Sequence, residues 1–339
     1  MARIGKFLLC VLAIIICLEV LVRVWGYSEM YLYDPIYMPY AKSKEIPYVL
    51  KPDLANVRAH GNIYINTDEL GLRSLNPGEK YPPKSPNEYR IAFIGDSVTF
   101  GVGVATKDTY AEVVQANLNR LQDRYRVKVF NFAESSYSVK EMVATLKYRV
   151  PEVSPDLVVM GIIINDFYLD RTPGVDKWGY NTFGGPSKIV NKFPTIKLIL
   201  RNLHLSYVIR DVLARIMEKK QPEVQLMQVK MPEWIDESYR YIIDFKKIAA
   251  ADGYQYLVLS IPTLGQDGSQ FRHIINNFKR DKIPYFDVSP LSMDFTESQF
   301  RASRYDFHPS ASVHRQISDK LSGYIMKKYL EIGSVEKAK

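Results

Sequence analysis

The chain has 339 residues, 47% apolar and 24% charged, a balance that fits one large folded unit with accessory segments and excludes a disordered polymer. Its two cysteines, Cys10 and Cys17, both lie in the N-terminal apolar stretch, so the remainder has no thiol for a disulfide, a cysteine nucleophile or a cysteine-based zinc site. The net charge of +8 is dispersed, with no nucleic-acid-binding signature, and the five histidines form no His-x-x-x-His pair; nucleic acid, metal and cofactor are therefore not expected as partners.

The first element is Phe7 to Val22, FLLCVLAIIICLEVLV, preceded by Arg3 and Lys6. This is the positive flank and apolar run of a signal peptide or signal anchor, with its amino end in the cytoplasm. Extended to Trp25 it makes roughly 28 Å of helix, just enough to span a bilayer with Glu19 and Arg23 near its outer edge. Val24-Trp25-Gly26 lacks the small residues of a cleavage site, and neither cysteine follows the small residue a lipoprotein site needs. Residues 1–25 are therefore read as an uncleaved, single-pass anchor in the cell inner membrane, with the rest of the chain periplasmic.

Residues 26–86 are rich in Tyr, Pro, Asn and Asp without sustained periodicity, which predicts an irregular collar or linker ending near Pro82-Pro83 and Pro86. The main domain is expected over 87–332, followed by a polar tail, 333–339. Apolar β-type runs at Arg90 to Ile94, Val127 to Phe132, Leu157 to Ile164, Tyr256 to Ile261 and Pro284 to Val288 alternate with helical patterns at Thr109 to Leu121, Val139 to Tyr148, Trp234 to Ala251 and Ala311 to Tyr329. That alternation predicts a three-layer α/β/α sandwich around a parallel sheet, with its site at the carboxyl ends of the strands.

Between 167 and 232 the alternation breaks into an insertion. It opens with a loop containing Pro173, Gly174, Trp178, Gly179, Phe183, Gly184, Gly185 and Pro186. A helix capped by Ser206 then carries Ile209, Val212, Leu213 and Ile216 at helical spacing, with Arg210, Arg215, Lys219 and Lys220 opposite. A packed amphipathic helix is the plain reading; a substrate lid or a membrane-resting helix is the alternative.

Four short blocks carry the chemistry. Gly95-Asp96-Ser97 ends the first strand, Asn131-Phe-Ala-Glu-Ser-Ser136-Tyr-Ser follows the second, Gly161-Ile-Ile-Ile-Asn165-Asp166 follows the third, and Asp306-Phe-His308-Pro309 lies near the C-terminus. Each alone reads as a polar turn. In this order they resemble the SGNH, or GDSL-type, esterase and acyltransferase superfamily over about residues 88 to 325. Asn66-Thr-Asp-Glu-Leu-Gly71-Leu-Arg73 is similar to the collar of its membrane-anchored bacterial members.

The resemblance implies a flavodoxin-like sheet, Ser97 as nucleophile, His308 as general base and Asp306 as its orienting acid. It also implies an oxyanion hole from the N–H groups of Ser97 and Ser136 and the side-chain amide of Asn165. Two residues depart from the family pattern: Ser136 stands where relatives usually carry glycine, and Asp306 lies two rather than three residues before the histidine, position 305 being Tyr. Asp96 is expected to fix the turn, and His314 to be a helix-face or capping residue. The expected activity is transfer of an O-acyl group, acetyl first, from an acylated small molecule or glycan through an acyl-Ser97 intermediate to water or a sugar hydroxyl. A lipid esterase or lysophospholipase is one alternative, and a non-catalytic glycan-binding or assembly factor is another.

Overall fold

The computed structural model describes residues 2–170, 173–182, 194–218 and 223–331. Phe183, Gly184, Gly185, Pro186, Lys219, Lys220 and the expected tail at 333–339 lie outside the described residues. Five parallel strands form the central sheet: β1 (Glu88–Ile94), β2 (Arg126–Asn131), β3 (Leu157–Ile162), β4 (Gln255–Ser260) and β5 (Tyr285–Asp287), in the order β5-β4-β3-β1-β2. The chain winds outward from β1 to β2 in one direction and through β3, β4 and β5 in the other. A topological switch point therefore falls between the carboxyl ends of β1 and β3, where open α/β sheets hold their ligands.

The helices are α1 (Ala2–Trp25), α2 (Tyr110–Leu121), α3 (Val139–Tyr148), α4 (Pro194–Asn202), α5 (His204–Glu218), α6 (Glu223–Ala251), α7 (Arg272–Arg280) and α8 (Ala311–Ile325). Successive side chains of a strand point to opposite faces. Ile91 and Phe93 of β1 accordingly pack with Val114, Leu118, Val313 and Ile317 of α2 and α8, while Ala92 and Ile94 pack with Met142, Ile242, Phe245 and Phe278 of α3, α6 and α7. Both faces of the sheet are covered, which is why its strands read as near-continuous apolar runs. Thr109 caps α2, and a capping box of Ser138 with Glu141 starts α3.

Three expectations are corrected. The third strand stops at Ile162 rather than Ile164, because Asp166 accepts the Ile163 N–H at 2.9 Å and turns Ile164–Phe167 into a 3₁₀ helix. α6 starts at Glu223, not at Trp234, and runs through Pro232. The collar is folded rather than irregular. Tyr37–Met38 pairs with Val49–Leu50, and Val57–Ala59, Ile63–Thr67 and Arg73–Ser74 form a small antiparallel sheet. Its buried Ile36, Tyr37, Tyr48 and Ile65 share a core with Phe100, Val102, Ala133 and Tyr137 of the main domain. Strands of two to five residues are too short to register as a periodicity.

Among the described residues α1 is the one helix long and apolar enough to cross a bilayer, with a length and composition that membrane anchors and signal sequences share. Its flanks are almost wholly exposed up to Val22, which is buried. Near its end Glu19 accepts the N–H groups of His204 and Leu205 at 3.0 and 2.8 Å, joining α1 to the start of α5.

Candidate active site

The carboxyl end of β1 leads through Gly95 into a single helical turn, Ser97–Phe100. Only glycine fits at 95: a Cβ there would lie 2.2 Å from the hydroxyl of Thr99 and 3.0 Å from the carbonyl of Gly161. Asp96 caps the turn, its Oδ1 accepting the Val98 N–H at 2.9 Å, and its Oδ2 lies 3.3 Å from Ser97 Oγ. Ser97 is thus the first residue of the turn, where backbone N–H groups have no intrahelical acceptor.

The far end of the turn is held by the collar. Arg73, fully buried, donates to the carbonyls of Phe100 and Gly101 at 2.9 and 2.7 Å, to Thr106 Oγ1 at 2.9 Å and to the carbonyl of Val104. A cation at the exposed carbonyls of a helix end is electrostatically favourable. Burial nonetheless pulls the guanidinium down to about 9, outweighing the opposing pull of the Glu112 carboxyl.

Asp306 and His308 come from the strand Asp306–Pro309, which pairs with Arg301–Ser303. Residues two apart on a strand point to the same side, so the shortened spacing still brings the two side chains together. His308 Nδ1 is 2.6 Å from Asp306 Oδ1, and His308 Nε2 is 3.0 Å from Ser97 Oγ. The Asp306 carboxylate also accepts the His308 backbone N–H at 3.0 Å. Asp306 is 1% exposed. Burial alone would raise its carboxyl, but the hydrogen bonds and charge of His308, with a smaller contribution from His60, hold it below the usual range.

With Asp306 accepting from Nδ1–H, Nε2 is left as the acceptor facing the serine, the tautomer a general base requires. The three residues open into a cleft of about 210 Å³. Its walls include Asn165 and the apolar Met30, Ile163, Leu264, Phe300 and Phe307.

Of the three expected oxyanion donors, Ser97 and Asn165 line this cleft, and the Asn165 side chain is exposed there. Ser136 lies in the neighbouring turn Glu134–Tyr137, outside the cleft's immediate lining, with φ of +71°. That value is left-handed and is ordinarily taken by glycine. The turn is tied to the end of β1 by the Glu134 N–H donating to the carbonyl of Gly95 at 3.2 Å. Asn131, which heads the second block, spans this region: its amide donates to the carbonyl of Thr99 at 2.8 Å and its oxygen accepts the Ala133 N–H at 3.1 Å.

His314 does not line this cleft. Its Nδ1 accepts the Tyr110 N–H at 3.1 Å, capping α2 from across the interface with α8, and burial pulls it down to about 3. Sequence reading missed Met30, Arg73 as a clamp on the turn, and His60. The half-buried His60, its Nε2 out of reach of solvent, packs on Tyr33 with ring centroids 3.8 Å apart and tilted 35°, and is pulled to about 3, chiefly by burial, with His308 adding to the effect. Only Arg73 left a signal, as the last residue of the Asn66–Arg73 segment.

Residues 93–316 match the GDSL-like Lipase/Acylhydrolase family. A search among curated protein sequences finds no match. Among solved structures, the lipase/acylhydrolase from Enterococcus faecalis is 12% identical, with 71% of this chain and 96% of that one covered at a TM-score of 0.41. The acetylxylan esterase Axe2 from Geobacillus stearothermophilus is 13% identical, covering 70% and 94% at 0.43. The lipase Lip_vut3 from goat rumen metagenome is 17% identical, covering 70% and 98% at 0.41.

Proposed function

Because the chain belongs to the GDSL-like lipase/acylhydrolase family and is an ester hydrolase of SGNH fold, we propose that it forms an acyl-enzyme at Ser97 and passes a short acyl group, acetyl first, to water or to a sugar hydroxyl. The observation that carries this reading is the continuous contact from Ser97 Oγ through His308 to Asp306, at 3.0 and 2.6 Å. Ser97 gives its proton to His308 Nε2 as its oxygen bonds to the acyl carbon. The ester C–O bond then breaks, and His308 returns the proton to the departing alkoxide. Water or an acceptor hydroxyl repeats the sequence in reverse, with His308 again taking and returning one proton. The Ser97 and Ser136 N–H groups and the Asn165 amide serve the developing oxyanion, each such donor contributing about 3 kcal/mol.

The small volume of the cleft supports a short acyl chain. The basic flank at Arg3 and Lys6 supports α1 as an anchor with the domain outside the cytoplasm, where acylated carbohydrate is the first substrate to try. A second reading, a lipid ester, is favoured by Met30 and Phe307 in the cleft wall.

The test is acetate release from p-nitrophenyl acetate by the full chain in detergent, with and without oligosaccharide acceptors, beside Ser97→Ala. Release that disappears in the variant, with acetylated sugar appearing when acceptor is present, is the expected result. Equal release by both proteins would remove Ser97 from the mechanism.

A further inference from the structure

α5 has two unlike faces. His204, Tyr207 and Asp211, at i, i+3 and i+7, are occupied by the segment that leaves α1. Ser28 Oγ meets His204 Nδ1 at 2.6 Å, Tyr31 stacks on Tyr207 at 5.2 Å, and the hydroxyls of Tyr27 and Tyr31 donate to Asp211 at 2.7 and 2.9 Å. The other face carries Ile209, Val212 and Leu213, α4 adds Ile196 and Ile199, and Leu203 joins the two helices. All six are 38% to 57% exposed, an unusual concentration of large aliphatic surface on two successive helices, left uncovered among the described residues.

Its position along α1 indicates what covers it. Glu19, which receives the first N–H groups of α5, lies six residues before Trp25, or about 9 Å down the helix axis. Arg23 reaches the carbonyl of Asn202 at the end of α4 at 3.4 Å. With Trp25 at the membrane–water boundary, where tryptophan is enriched, the α4–α5 junction is fastened at the depth occupied by interfacial amphipathic helices, about 5–10 Å into the headgroup and acyl boundary.

The catalytic cleft belongs to the same joint. Trp25 and Tyr27 pack edge-on against Tyr305, at 5.8 and 5.2 Å, and Tyr305 immediately precedes Asp306. Met30, five residues beyond Trp25, lines the cleft beside Ser97 and His308, and Phe307 in its wall is 59% exposed.

We infer that α4 and α5 rest with their exposed aliphatic residues in the surface of the bilayer that α1 crosses, and that this holds the cleft mouth at headgroup level, so that the ester is drawn from an amphiphile resident in the membrane. The substrate half of the inference rests on the acyl-Ser97 reading; the docking half does not.

The test uses the full chain in phosphatidylcholine vesicles, with Cys10 and Cys17 replaced by serine and one cysteine placed at Leu213 for an environment-sensitive fluorophore. A probe at Leu213 is expected to shift to the blue and to be quenched by shallow spin-labelled lipid about twofold or more, unlike a control probe at the exposed Lys320. Quenching of both probes alike by aqueous iodide would overturn the docking. The substrate arm compares one chemistry in two settings: acetate release from an acetylated hexadecyl glucoside in the vesicles and from its acetylated methyl counterpart in water. Ile209→Glu with Leu213→Glu is expected to slow the first about tenfold and leave the second within about twofold. Equal loss on both, or none on either, would overturn the membrane-drawn substrate. If the unmutated chain releases acetate from neither ester, the acyl-Ser97 reading and the substrate half fall together, and the quenching result alone decides the docking.

Discussion

At residue 136 a serine occupies a conformation that costs an L-residue about 1–2 kcal/mol, because its φ of +71° is left-handed. The backbone N–H is there whichever side chain the residue carries. Ser136→Gly is therefore expected to stabilise the protein by about 1 kcal/mol in urea unfolding and to leave acetate release within about twofold, with Ser136→Ala equally active. A large loss in both would mean that the hydroxyl, not the N–H, is used. Asp306 offers the opposite case, a side chain whose charge matters. Asp306→Asn preserves shape but removes the negative charge that favours the Nδ1–H tautomer and the imidazolium, so kcat should fall by about 10³-fold or more while the KM for p-nitrophenyl acetate changes little.

Among elements, the clamp between the collar and the Ser97–Phe100 turn is the contact most exposed to test. A lysine at 73 keeps the charge but lacks the fork that reaches Phe100, Gly101, Val104 and Thr106 together. Arg73→Lys should cost about 3 kcal/mol in chemical denaturation and lower kcat, since the turn that carries Ser97 loses its far anchor. Elements built from local patterns were legible in the chain. The five strands are apolar runs buried on both faces, and α2 and α3 announce themselves by Thr109 and by the Ser138/Glu141 box. The Gly95-Asp96-Ser97 and Asp306-Phe-His308 blocks were equally visible, since residues close in sequence carry them. What periodicity could not report are contacts between distant segments: Arg73 on the turn, Glu19 on α5, Trp25 on Tyr305. No local pattern encodes which exposed polar residue will meet which backbone group far along the chain. The collar's two- to five-residue strands fell below the length at which alternation can be recognised.

For the whole molecule, the buried titratable groups set opposing trends with pH. Burial pushes the Glu134 carboxyl up to about 8, outweighing Arg149 at 3.8 Å and the Leu50 N–H it accepts. The native state then retains a proton that the unfolded chain releases near pH 4.5, so stability falls as pH rises from about 4.5 to 8. Glu112, pushed to about 7 by burial, acts in the same sense. His60 and His314, pulled to about 3, act in reverse and remove stability as pH falls from about 6.5 towards 3. Between pH 6.5 and 8 only the carboxyl effect operates among these four. The thermal midpoint should therefore decline across that window, and Glu134→Gln should flatten the decline; an unchanged slope would show that the carboxyl is ionised in the fold. The order in which the cleft's parts occur along the chain has a consequence for its biosynthesis. Met30 comes first, Ser97 and Asn165 follow, and the strand bearing Asp306 and His308 comes after them, preceded by Tyr305, which packs against Trp25 and Tyr27. A chain made from its N-terminus thus presents Ser97 long before His308 is made, so on the acyl-Ser97 reading the serine precedes by some two hundred residues the base proposed to activate it.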